Sequence, residues 1–163
     1  MAVNLKNLSN NQSEVPSAEK MKFGIVVSEW NSSITDSLYR GANNALIKYG
    51  AKEVNIITLK VPGSFELTAG ANLLAQHADI DAVICLGCVI KGETPHFDYI
   101  CQGVSHGITE LNLKYEIPFI FGVLTTLNQH QALERAGGVY GNKGYEAAIT
   151  AIKMINLFWK LKK

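Results

Sequence analysis

The chain has 163 residues, with fifteen Lys and Arg against fourteen Asp and Glu, a net charge of +1 and 47% hydrophobic residues. That is one domain of ordinary size, able to bury a core without metal or disulfide staples, and its basic residues are too scattered to support nucleic-acid binding. No apolar run approaches membrane-spanning length and the first twenty residues lack the apolar stretch of a signal peptide, so a cytoplasmic protein without a membrane partner is expected.

Residues 1–20 form a polar lead, expected to pair with a neighbouring subunit's sheet or to stay mobile, and residues 21–163 form a single domain. Lys22–Ser28 (K-F-G-I-V-V-S) predicts a strand, and Leu38, Ala42, Ala45, Leu46 and Tyr49 repeat at helical spacing over Thr35–Tyr49 until Gly50 stops the helix. Glu53–Val61 predicts a second strand closed by Pro62-Gly63, and Phe65 to about His77 a second helix. Asp81–Val89 is the third strand, almost wholly apolar as expected when both faces are covered. Phe97, Ile100, Cys101, Val104, Ile108 and Leu111 mark the inner stripe of a third helix, and Pro118–Leu124 (P-F-I-F-G-V-L) predicts a fourth strand. A short helix over Gln131–Ala136, a G-G-V-Y-G-N-K-G turn and a helix over Tyr145–Trp159 complete the chain.

Strands alternating with helices demand right-handed crossovers and a mostly parallel sheet with helices on both faces. The expected fold is a flavodoxin-like three-layer α/β/α sandwich with four parallel strands in the order 2-1-3-4. Its switch point, between strands one and three, is where such sheets bind ligands. The loops at Trp30-Asn31, Gly63-Ser64-Phe65 and Gly92-Glu93-Thr94 then converge on one rim, and two sheet edges stay open for a partner subunit or the N-terminal segment.

Chemistry concentrates between Gly87 and Cys101 (G-C-V-I-K-G-E-T-P-H-F-D-Y-I-C), which joins a buried strand to a loop and a helix start. Thr94 is expected as N-cap with Pro95 at the first helical position, so outward backbone N–H groups backed by the helix dipole would favour an anion, most simply a phosphate. His96 stands beside that site and carries the side chain whose ordinary pKa suits proton transfer near neutrality. Cys85 and Cys88 invite a redox or metal reading. Residues three apart on a strand face opposite ways with Cα atoms roughly 10 Å apart, however, so the cysteines are read as core, with Cys101 on the apolar face of the next helix. No second ligand pair exists for a metal.

Other candidates carry two readings. Arg135 could grip a phosphate with its planar fork or serve as a solvated helix-end cation, and Lys143 shares that ambiguity. Glu66 could accept hydrogen bonds from a polyhydroxyl substrate or complement a helix dipole. Trp30 and Phe65 could stack on a planar heterocycle or simply pack, and the polar surroundings of Trp30 favour stacking. Asp98 reads as a first-turn charge, and His77, His106 and His130 as solvated surface.

The blocks W-N-S-S-I-T at Trp30–Thr35, V-P-G-S-F-E at Val61–Glu66, G-C-V-I-K-G-E-T-P-H-F-D-Y at Gly87–Tyr99, F-G-V-L-T-T at Phe121–Thr126 and E-R-A-G-G-V-Y-G-N-K-G at Glu134–Gly144 resemble the lumazine synthase family, in order and spacing, from about Lys22 onward. The resemblance implies condensation of 5-amino-6-(ribitylamino)uracil with 3,4-dihydroxy-2-butanone 4-phosphate to 6,7-dimethyl-8-ribityllumazine, without cofactor or metal. By motif position, Trp30 would stack on the pyrimidine, and Asn31 and Glu66 would meet the ribityl hydroxyls. Backbone near Ser64, Val89 and Lys91 would hold the pyrimidine edge, with Phe65 and Ile90 beside it. Glu93, Thr94 and Arg135 would bind the phosphate, and His96 would shuttle protons. The resemblance further implies a homo-oligomer, a pentamer or multiple of pentamers up to a hollow shell. Phe121, Arg135 and Lys143 would come from the adjacent subunit, and riboflavin synthase is a candidate partner. Two positions depart from common members: Glu29 replaces a frequent basic residue and Leu127 a frequent glutamate. The alternatives weighed are a flavodoxin-like flavin-binding module, against which the glycine-free S-E-W-N-S-S-I-T loop argues, and a non-catalytic shell protein.

Overall fold

The computed structural model describes residues 15–162. Every residue of Phe23–Ser28 (β1) is buried, as are the first seven of Ala82–Ile90 (β3). Continuous apolar runs of this kind belong inside a parallel sheet. They form the inner pair of a four-stranded parallel sheet in the order β2-β1-β3-β4, with Ile56–Val61 (β2) and Phe119–Thr126 (β4) at the edges. The expected strand order and class therefore hold.

Two helical layers cover this sheet. Ser32–Lys48 (α1) and Lys143–Leu161 (α5) pack Leu38, Ala42, Leu46, Ala148 and Ile152 against one face. Leu67–His77 (α2) and His96–Lys114 (α3) pack Leu67, Leu74, Val104 and Ile108 against the other. Cys85 lies in the second layer and Cys88 in the first; both are free thiols, as strand alternation required.

Several boundaries differ from the sequence expectation. Glu53–Asn55 is a 3-10 turn instead of strand, because the parallel ladder begins only at the Phe23–Ile56 pair and Asn55 N–H turns back to the Lys52 carbonyl at 2.9 Å. A second such turn, Ser64–Glu66, precedes α2. The short helix spans Gln129–Glu134 (α4), two residues early, because the Asn128 side chain accepts from Gln131 N–H at 2.9 Å. The glycine-rich turn contains a small antiparallel ladder of Ala136–Gly138 (β5) and Gly141–Asn142 (β6).

Residues 15–20 lead into the domain by packing on their own chain: Ala18 is fully buried and its N–H donates to the Tyr49 carbonyl at 2.8 Å. Residues 1–14, the greater part of the lead expected to meet a neighbour, lie outside the described residues.

The start of α5 is clamped onto α1. Asn142 caps it by accepting from Gly144 N–H (2.8 Å) and Tyr145 N–H (3.1 Å), while its amide donates to the Ser37 carbonyl at 3.0 Å. A Cβ on Gly144 would lie 1.8 Å from the Leu38 carbonyl oxygen, so only glycine permits this approach.

Candidate active site

Three loops are tied together at the carboxyl ends of β1, β2 and β3. The chain leaving β1 is stitched to β2 by Glu29 N–H donating to the Val61 carbonyl (2.8 Å) and Trp30 N–H to that of Pro62 (3.0 Å). Asn31 then turns the backbone through the left-handed region at φ 60 and donates its amide to the Cys88 carbonyl at 3.0 Å, joining β1's exit to β3. The Ser64 turn sits down on β3 at Gly87, where a Cβ would come within 2.6 Å of the Ser64 hydroxyl. The glycine in G-C-V-I-K-G thus sets the height of V-P-G-S-F-E.

Between these loops runs an open groove of about 680 Å³. It brings together Trp30, Asn31, Ser64, Phe65, Glu66, Val89, Ile90, Thr94 and His96 from the predicted set, with Phe97 and Ile100 of α3 forming its apolar wall. Trp30 is 73% and Phe65 58% exposed, so both leave ring surface at the lip, and His96 is exposed beside them. Lys91 and Glu93 lie on the same loop, exposed and outside the groove's lining; Lys91 N–H donates to the Thr126 carbonyl at 2.8 Å.

The beginning of α3 corrects the expected cap by one residue. The helix starts at His96, with Pro95 at the cap position, φ −62, and no side-chain cap. Proline's ring already holds a helical φ, so the first turn closes from the Pro95 carbonyl to Asp98 N–H at 2.9 Å, and Thr94 stands outside it. The first-turn N–H groups and the positive dipole end remain at the loop that carries Thr94.

Phe121 and Lys143 fall elsewhere. They line a second depression of about 380 Å³ along β4, with Asn112, Phe119, Glu146 and Thr150 among its walls, and it shares no lining residue with the first. Backbone groups alternate along a parallel strand. The Pro118 and Thr126 carbonyls turn toward β3, accepting from Val83 and Lys91, so the odd-numbered residues face outward. Asn112 takes both polar groups of Phe119, accepting from its N–H and donating to its carbonyl at 2.9 Å each. Phe121 is therefore the next residue whose backbone faces the depression.

Arg135 ends α4 with its Nη2 3.9 Å from Glu146 Oε2, and Lys143 Nζ reaches the same oxygen at 3.6 Å. The sequence reading did not single out Glu146, although a lone carboxylate immediately before the apolar stripe A-A-I-T-A-I, three residues after Lys143, was the available signal. Asn112 and Asn142 also went unnoticed, because a polar residue late in a helix or in a glycine-rich turn carries no distinctive pattern.

Burial pushes the Cys85 thiol up to about 12 and that of Cys88 up to about 11; partial burial, with Asp98 nearby, raises Cys101 as well. Cys85 and Cys88 are core, as expected, whereas Cys101 is only partly buried on α3 and lies outside both core clusters. His77, His106 and His130 are exposed, with His106 3.9 Å from Glu110. Among the described residues no three acidic, His or Cys side chains gather as a metal site, and no helix is long and apolar enough to cross a membrane.

A parallel sheet with an aromatic-lipped groove at its switch point and a histidine at a helix start defines an α/β enzyme acting on small molecules. The family model for 6,7-dimethyl-8-ribityllumazine synthase matches residues 20–158. Proteins carrying that name resemble the chain nearly end to end. One from Parabacteroides distasonis is 60% identical over 157 residues, covering 96% of this chain and 98% of that protein. One from Cytophaga hutchinsonii is 60% identical over 150 residues, 92% and 94% respectively. One from Bacteroides fragilis is 60% identical over 143 residues, 88% and 100%. The chain belongs to the 6,7-dimethyl-8-ribityllumazine synthase family and is an enzyme of riboflavin biosynthesis. The match speaks against the flavin-binding alternative.

Proposed function

We propose that this chain condenses 5-amino-6-(ribitylamino)uracil with 3,4-dihydroxy-2-butanone 4-phosphate, releasing phosphate and water, in a site completed between neighbouring copies. The observation that carries the shared site is the division of its residues: the rim groove holds Trp30 to His96, whereas Phe121 and Lys143 line a separate depression with Arg135 close by. Joining the β4 edge of one copy to the rim of the next would also cover polar backbone left open at that edge.

In such a site Trp30 stacks on the pyrimidine, Asn31 and Glu66 meet the ribityl chain, and the backbone at Ser64, Val89 and Lys91 reads the pyrimidine edge, with Phe65, Ile90 and the neighbour's Phe121 and Lys143 closing around it. The open α3 terminus, the loop at Glu93 and Thr94, and the neighbour's Arg135 hold the phosphate. Orientation then does most of the work. An amine held against a ketone condenses to an imine with loss of one water, the phosphate departs onto donors already in place, and the ribitylamino nitrogen closes the second ring on the carbonyl that this elimination generates, with loss of a second water. His96, exposed beside the phosphate loop, moves the protons: one to the departing hydroxyl of the carbinolamine, one from the carbon whose deprotonation expels phosphate. The family reading supports a pentamer or a multiple of pentamers in the cytoplasm, with riboflavin synthase as a candidate partner. The test is to mix both substrates with the protein, follow lumazine absorbance and phosphate release, and measure particle mass on the same sample. One phosphate per lumazine from an oligomer is expected; full activity from a monomer overturns the shared site.

A further inference from the structure

Glu146 is a nine-tenths-buried carboxylate facing the β4 depression, and its placement is not explained by folding alone. It is 7% exposed, and its Oε2 stands 3.6 Å from Lys143 Nζ and 3.9 Å from Arg135 Nη2. Both separations exceed those of charge-assisted hydrogen bonds, so the cations are attracted without surrendering their donors. The other oxygen, Oε1, is buried and has no hydrogen-bond partner among the described residues. An apolar side chain on this Ala- and Ile-rich helix face would avoid that cost, and replacing a buried ion pair with apolar residues is often neutral or stabilising.

The backbone around Glu146 is fixed with unusual care for one charge. It lies in the first turn of α5, where the helix dipole favours a carboxylate. That turn is held by the Asn142 cap and by the contact of Gly144 with α1. Lys143 N–H in turn donates to the Arg135 carbonyl at 2.9 Å, tying the backbones of the two cation-bearing residues together.

We infer that Glu146 is the positioning residue of the site: a fixed buried anion that holds Lys143 in the β4 depression and Arg135 beside it, with their donors available to the two substrates. This rests on the reading that Arg135 serves the phosphorylated ketone and Lys143 the pyrimidine. Because one carboxylate serves both cations, its loss reaches both substrates, whereas loss of either cation reaches mainly one.

The experiment is steady-state kinetics on the assembled full chain with each substrate varied in turn, comparing Glu146→Gln, Arg135→Ala and the double variant, with particle mass measured on every sample. Glu146→Gln is expected to raise both Michaelis constants about tenfold, the effect of one lost charge contact, with kcat changed by less than about twofold. Arg135→Ala is expected to raise that of the ketone alone. In the double variant the ketone constant should equal that of Arg135→Ala, because a positioning residue has nothing left to position. Glu146→Asp, which keeps the charge but withdraws it by one methylene, should give a smaller rise in both constants and serves if the glutamine variant does not assemble. Unchanged constants in both Glu146 variants, or additive effects in the double variant, overturn the inference while Arg135→Ala still supports the site. If Arg135→Ala leaves the ketone constant unchanged, the reading of the site falls and the inference with it.

Discussion

The Asn31 side-chain amide donates to the Cys88 carbonyl at 3.0 Å, while the Asn31 backbone occupies the left-handed region at φ 60. One residue therefore ends β1's exit loop, opens α1 and fastens the Trp30 lip to the end of β3. Asparagine tolerates this conformation better than most residues, and its amide supplies the fastening that glycine could not.

Asn31→Gly and Asn31→Ala separate those two roles. The alanine variant is expected to lose about 2 kcal/mol, from the lost hydrogen bond and the retained strain, and the glycine variant about half of that. Both should raise the Michaelis constant of the pyrimidine substrate to a similar degree, because both release the lip. Thermal unfolding and steady-state kinetics check the pair; a glycine variant with native kinetics would show that the hydrogen bond does not shape the groove.

His96→Ala is expected to lower kcat by about 10²-fold, the usual contribution of a positioned acid–base group, with assembly and both Michaelis constants changed little. Native turnover in the variant would remove His96 from the chemistry.

Cys85 and Cys88 should resist thiol reagents at pH 8 until the protein unfolds, because burial pushes their thiols up to about 12 and about 11 from 9.0. The sign for stability follows. Above pH 9 the unfolded chain sheds thiol protons that the folded one retains, so the unfolded state binds fewer protons and stability falls as pH rises from 9 toward 12. Replacing Cys85 with Ala should flatten that alkaline loss in denaturant titrations, and an unchanged slope would contradict its thermodynamic weight.

Gly144→Ala would drive a methyl group into the Leu38 carbonyl oxygen, 1.8 Å away, so α5 must lift from α1. A loss of about 3 kcal/mol, or roughly 10 °C in the unfolding midpoint, is expected. Activity should fall too, since Lys143 and Glu146 ride on the displaced turn. A variant with native stability would show that the helices can separate freely.

The sheet order was legible because β1 and β3 are unbroken apolar runs and the helices between them keep clear stripes such as Leu38, Ala42, Ala45 and Leu46. Boundaries were less legible wherever a side chain or a missing partner decided them. Glu53–Asn55 looks extended, yet β1 offers it no ladder, and Pro95 began its turn one residue later than Thr94 suggested. The rim groove could be assembled from loops at the strand ends. The Arg135–Lys143–Glu146 group could not, because it depends on α5 seating against α1 through Gly144 and Asn142, a contact between segments about a hundred residues apart.

The shared site is tested most directly by mixing a rim variant, Trp30→Ala with His96→Ala, and an edge variant, Arg135→Ala, after dissociating and reassembling them together. Assayed at a ketone concentration far below the raised Michaelis constant of Arg135→Ala, each variant alone should be nearly inactive. In a random one-to-one ring, half the rims and half the edges are intact, so roughly a quarter of the interfaces pair two intact halves and activity should recover to about that fraction of the native level. Verified mixed assemblies no more active than the two parents would contradict the account.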